Sequence, residues 1–95
     1  MAEVKVTISK CVDMSQPIFV EFEFADCNGI KHIFVDKLPI VSASSDIELP
    51  CDGVLRCTIV SENDRTYIID TSTPFDVESN SGESRFEVFK DQVVL

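Results

Sequence analysis

Apolar and polar residues alternate along most of this chain with a period of two, the spacing of side chains on the two faces of a β-strand. Residues 4–8 (VKVTI) alternate strictly and predict a first strand that can run on to Val12. Residues 18–25 (IFVEFEFA) and 30–36 (IKHIFVD) follow as a pair, rich in the β-branched and aromatic side chains that suit a pleated surface. Asn28-Gly29 between them is the strongest hairpin signal, because both residues tolerate the positive φ of a type I′ turn. Further strands are expected over 54–61, 66–71, 75–78 and 85–90, with 93–95 extending the last past a kink. Ser45-Asp-Ile-Glu48 matches a helix capping box, but Pro50 would clash inside that helix, so 46–49 is read as a short strand. Residues 50–53 then form a turn pivoting on Asp52-Gly53. Seven to eight short strands with frequent turns predict an all-β fold, a small antiparallel β-sandwich or open barrel occupying residues 1–95 as one domain.

The predicted hairpin 18–36 carries a contradiction. One face reads as core: Ile18, Val20, Phe22, Phe24, Ile33 and Val35. The other mixes acids with aromatic groups: Phe19, Glu21, Glu23, His32, Phe34 and Asp36. A two-residue turn at Asn28-Gly29 sets Glu21 opposite Asp36 and Glu23 opposite Phe34. A four-residue loop over 26–29 sets Glu23 opposite His32 and Glu21 opposite Phe34. Both registers keep the acid-and-aromatic set on one face. Like charges side by side on a strand pair cost stability, so this face reads as a surface that awaits a cationic partner. Exposed aromatic groups beside charges fit the same reading.

Charge sharpens it. Acids outnumber bases 17 to 8, for a formal net charge of -9. Phosphate backbones and anionic lipids attract basic surfaces, which argues against nucleic acid and membrane as partners. A cationic protein is the favoured partner, since an acidic field speeds such encounters. High like charge also opposes self-association, so a monomer is expected. The loops contribute a second acidic set, Asp46, Glu48, Asp52, Glu62, Asp64, Asp70, Asp76 and Glu78, and loops at one end of a sandwich can converge. The chain opens directly into a strand pattern with no charged and apolar leader, and no apolar run reaches the ~20 residues that span a bilayer; a cytoplasmic protein is expected.

Candidate chemistry is sparse. Cys11, Cys27, Cys51 and Cys57 contain no Cys-x-x-Cys pair, and His32 is the only histidine. Zinc would need ligands drawn from scattered strands, so no metal and no other cofactor is expected, and reduced, mostly buried thiols are preferred. The acids form no Asp-x-Asp-x-Asp calcium loop with a closing Glu. Cys27 with His32 as base is the one dyad in reach, and nothing marks an oxyanion hole or an orienting third group. Three glycines leave no phosphate-binding loop. The reading is a non-enzyme.

A small, acidic, all-β chain without an active site looks like an inhibitor. In size, charge and the stretch 46–59 (DIELPCDGVLRCTI) leading into 67–70 (YIID), it resembles the immunity proteins of bacterial contact-dependent growth inhibition systems. The resemblance implies a cognate cationic toxin domain, commonly a nuclease such as an RNase, bound one to one and blocked at its active site or nucleic-acid cleft. Such clefts are basic, and an acidic plug can stand in for phosphates. The expected contact residues are Phe19, Glu21, Glu23, His32, Phe34 and Asp36 on the hairpin, with Asp52, Glu62, Asp64 and Asp70 beside them. The alternatives are a β-sheet adaptor that joins an assembly through a sheet edge and, less favoured, a small Cys/His enzyme or metal carrier.

Overall fold

The two longest strands, β1 (Ala2–Asp13) and β4 (Cys51–Glu62), lie antiparallel at the centre of the molecule, in a computed structural model that describes residues 1–44 and 46–95. β2 (Phe19–Ala25) and β3 (Lys31–Lys37) form a hairpin on the far side of β1. β5 (Thr66–Asp70) and β6 (Arg85–Phe89) form a meander on the second half of β4. The order across the sheet is β3-β2-β1-β4-β5-β6, and the short β7 (Val93–Val94) pairs with the start of β1, where β2 does not reach. All pairings are antiparallel, and the sheet curls into a half-barrel. β4 is long because it serves both halves. Cys51 to Cys57 pair with β1, and Thr58 to Glu62 pair with β5.

The curl brings β6 over the hairpin. Phe86 meets Phe24 edge-on at 5.1 Å and Phe34 at 5.8 Å, while Phe22 stacks flat on Phe34 at 5.2 Å. Val4, Val6, Ile8, Leu55, Ile69 and Val88 complete the lining from the other strands. Burying each large side chain contributes roughly 1.5–3 kcal/mol, so these alternating positions decide which way every strand faces. The end strands β3 and β6 share no ladder. Loops close the seam instead: the Asn80 N–H donates to the Ile33 carbonyl (2.8 Å), and the Cys27 N–H donates to the Glu87 carbonyl (2.8 Å). Covering an edge in this way blunts its tendency to pair with other chains.

Three local expectations change. Residues 46–49 form no strand. Residues 51–53 form no turn: they lie inside β4, opposite Ile8, Thr7 and Val6. Gly53 is needed for close approach, because a Cβ there would sit 2.5 Å from the Val41 carbonyl and 2.9 Å from Ile8 Cδ1. That approach lets the Val54 N–H donate to the Val41 carbonyl (3.1 Å) and seats the short 3-10 turn Leu38–Ile40 on the sheet. Residues 75–78 are irregular as well. Val77 is fully buried, and the Thr71 hydroxyl donates to its carbonyl (2.8 Å), so one side chain pins the loop where a strand was expected. No helix among the described residues is long and apolar enough to cross a membrane.

Candidate protein-binding surface

Asp26 decides which side chains the hairpin exposes. Its carboxylate Oδ1 accepts from the N–H groups of Asn28 (2.9 Å) and Ile30 (3.1 Å), and its own N–H donates to the Ile30 carbonyl (2.9 Å). The Gly29 N–H donates to the Asp26 carbonyl (3.0 Å), and Gly29 takes the left-handed φ of +78°. The connection is thus a three-residue loop closed by the Asp26–Ile30 pair, a turn ending in a left-handed glycine. Two- and four-residue loops both predict one face for β3; an odd loop shifts the register by one residue and exchanges its faces. Phe22 stands opposite Phe34, Phe24 opposite His32 and Val20 opposite Asp36. Phe34 is fully buried and is withdrawn as a contact residue. His32 and Asp36 turn inward with it and are half-buried. Ile33 and Val35, expected in the core, are instead exposed at 40% and 38%.

The outer face is therefore built differently from the expectation. Across β1, β2 and β3 its rows are Thr7–Glu23–Ile33, Lys10–Glu21–Val35 and Asp13–Phe19–Lys37. Lys10 Nζ lies 3.9 Å from Glu21, and Lys31 Nζ lies 3.3 Å from Glu23. Neither acid faces another acid across the ladder. Instead of acid against acid, a lysine on each flanking strand lies within ion-pair distance of Glu21 and Glu23.

His32 is a latch. Its Nε2 hydrogen-bonds Asp26 Oδ2 at 2.7 Å, and its ring packs 4.6 Å from that of Phe86. Burial pushes the Asp26 carboxyl up, but hydrogen bonds from His32, Ile30 and Asn28 and the His32 charge outweigh it and hold the group below its ordinary value. Cys27 gains no reactivity from this neighbourhood. Burial first, then the charges of Glu87 and Asp26, push its thiol up, and burial pushes Cys57 up to about 11. Among the described residues no group of three or more His, Cys, Asp or Glu side chains converges on a metal-sized site.

The other expected contact residues do not form one patch. Asp52 is exposed on β4 opposite Thr7. Glu62 closes β4 in an ion pair with Lys90 (2.6 Å), which also lies over the Tyr67 ring. Asp64 is exposed at an open cleft of about 570 Å³ that it shares with Cys27, Arg65 and Phe89. Asp70 ends β5, held below its ordinary value by the Ser72 hydroxyl and N–H and, after the opposing effect of burial, by Arg85 at 3.2 Å.

A pattern missed in the sequence organises all of this. Lys5, Lys10, Lys31, Lys37, Arg56 and Arg85 all stand on strands. The loops hold Asp46, Glu48, Asp64, Asp76, Glu78 and Glu83, all exposed and none in an ion pair among the described residues. Arg65 and the already paired Lys90 are the cations outside the strands. Setting the bases against the strand boundaries would have exposed the segregation. Comparison with protein-family models, with curated proteins and with solved structures gives no match.

Proposed function

We propose that this chain is a non-catalytic inhibitor of the immunity-protein kind, which binds one cationic toxin domain, a nuclease, and blocks its nucleic-acid cleft. The observation that carries the reading is the distribution of charge: six of the eight bases stand on strands, where Lys10 and Lys31 meet Glu21 and Glu23, while the exposed carboxylates of Asp46, Glu48, Asp64, Asp76, Glu78 and Glu83 lie in loops, in no ion pair among the described residues. Such a rim attracts a basic cleft from a distance and orients it on approach. The contact surface moves accordingly, from the hairpin face to the loops. Glu21 and Glu23 would have to surrender their lysines to meet a partner; Asp46, Glu48, Asp64, Asp76, Glu78 and Glu83 would not. The raised Cys27 thiol weighs against the dyad enzyme, because the thiolate is the nucleophile.

The test is to look for a toxin gene adjoining that of this chain and to mix the purified chain with the nuclease domain such a gene encodes. A one-to-one complex, loss of RNA cleavage and an association rate that falls steeply with salt are expected. Unimpaired cleavage with no complex would remove the reading.

A second reading, a sheet-edge adaptor, has one observation in its favour. Ile33 and Val35 are exposed on the end strand β3, where the Ile33 carbonyl accepts from Asn80 and no further strand pairs among the described residues. Binding through this edge would depend little on salt, which separates the two readings.

A further inference from the structure

An apolar hollow of about 110 Å³ opens beneath the turn that joins β1 and β2. Its deepest residues are Val20 and Leu38, both almost fully buried. Half-buried Ile18, Ile47, Leu49 and Cys11 line it as well, with Met14 at its lip. Met14 is 73% exposed, and its Sδ lies 3.0 Å from Cys11 Sγ. Pockets for drug-sized ligands run to about 300–1,000 Å³, so this hollow suits one aliphatic side chain and not a free metabolite.

The rim has a sign. In the irregular stretch Asp46-Ile47-Glu48-Leu49, Ile47 and Leu49 line the hollow while Asp46 and Glu48 stand exposed, in no ion pair among the described residues. Two cations adjoin lining residues in sequence. Lys10 is held by Glu21, and Lys37 is exposed at the end of β3 beside Asp36. Asp46 and Glu48 therefore supply the acids beside the hollow.

We propose that this hollow is the anchor of the interface: it takes one leucine-sized side chain of the cationic partner, flanked in the partner's chain by Lys or Arg that reach Asp46 and Glu48. The inference rests on the reading of the chain as a binder of a cationic protein and names the place and chemistry of contact. Interfaces gain most of their affinity where a few side chains are fully desolvated in a pocket, with charges around them that guide and orient. Met14 suits the lip, because an unbranched thioether adapts to whatever it covers.

The experiment titrates methyl-labelled full-length chain with the peptides Lys-Lys-Leu-Lys-Lys, Lys-Lys-Ala-Lys-Lys and Glu-Glu-Leu-Glu-Glu, read by methyl NMR. The leucine-bearing cationic peptide should shift the methyl signals of Leu38, Ile47 and Leu49 saturably. The alanine peptide should bind on the order of tenfold more weakly, the worth of the lost methyl groups. The acidic peptide should leave those signals in place. The variant Asp46→Asn with Glu48→Gln, its methyl spectrum otherwise unchanged, should weaken the leucine peptide several-fold. Equal binding of the leucine and alanine peptides, shifts confined to other surfaces, or no binding by any peptide would overturn the anchor. If the cationic peptides still bound elsewhere, the cationic-partner reading would stand. Binding of the acidic peptide as tightly as the cationic one would sink that reading as well.

Discussion

The outer face of the β1–β2–β3 sheet and the loops around it carry the same kinds of acid, yet the two regions do opposite things with them. On the sheet, Glu21 and Glu23 are half-buried and each is met by a lysine from a neighbouring strand. In the loops, Asp46, Glu48, Asp76, Glu78 and Glu83 are exposed and meet no cation among the described residues. Strand geometry forces neighbours within reach of one another, so like charges there must be answered locally. Loops impose no such neighbours. Net charge can accumulate on them at little cost to stability, and it projects outward where a partner feels it.

The largest predicted effect breaks the comparison at its base, the facing of β3. Phe34→Ala should destabilise by about 3–5 kcal/mol, because the ring is fully buried between Phe22 and Phe86. Val35→Ala, one residue along, should cost about 1 kcal/mol or less. Urea unfolding midpoints compare them directly, and equal losses would mean the hairpin register is wrong. Gly53→Ala comes next. Its methyl would meet the Val41 backbone, so a loss of about 1–3 kcal/mol is expected, whereas Gly29→Ala meets no atom within 4 Å and suffers only the left-handed φ, about 1–2 kcal/mol.

Much of the fold was legible because the inner residues Val4, Val6 and Ile8 of β1, Val20, Phe22 and Phe24 of β2, and Phe86 and Val88 of β6 alternate strictly. Ile33 and Val35 defeated the same logic. Residues 30–36 carry apolar groups on both faces, so periodicity alone could not orient the strand, and loop length decided it. The signal lay in Asp26 ahead of Cys-Asn-Gly: an aspartate whose carboxylate caps the turn selects three residues where Asn-Gly alone selects two. Gly53 misled for a related reason. Asp-Gly reads as a turn in sequence, and only tertiary contact shows a glycine kept small for the Val41 carbonyl. Of the candidate site, the acidic character was legible and its location was not, since ion pairing depends on which strands become neighbours.

Smaller effects sharpen the contrast. Asp26 is held below its ordinary value in the folded chain, so its contribution to stability is complete above the unfolded value of about 4 and is lost as pH falls through the folded value. Asp26→Asn should flatten that acid-side loss in pH-dependent urea titrations and cost about 1 kcal/mol or more at neutral pH. An unchanged acid limb would show that the His32 latch does not hold the hairpin. Smallest is Glu21→Gln with Glu23→Gln. Their lysine partners are mostly exposed, so stability should change by no more than about 1 kcal/mol and should not rise. A clear gain in thermal midpoint would reinstate repulsion on the sheet face.

The central claim is that the exposed loop carboxylates hold more negative potential than the hairpin face does, and amide NMR with charged nitroxide cosolutes measures that potential residue by residue without a partner. The account predicts that a cationic nitroxide relaxes amides at 46–49, 64 and 76–83 far more strongly than an anionic one, while amides at 7–10, 21–23 and 31–35 respond nearly equally to both. A cationic preference as strong on the hairpin face as on the loops would contradict it.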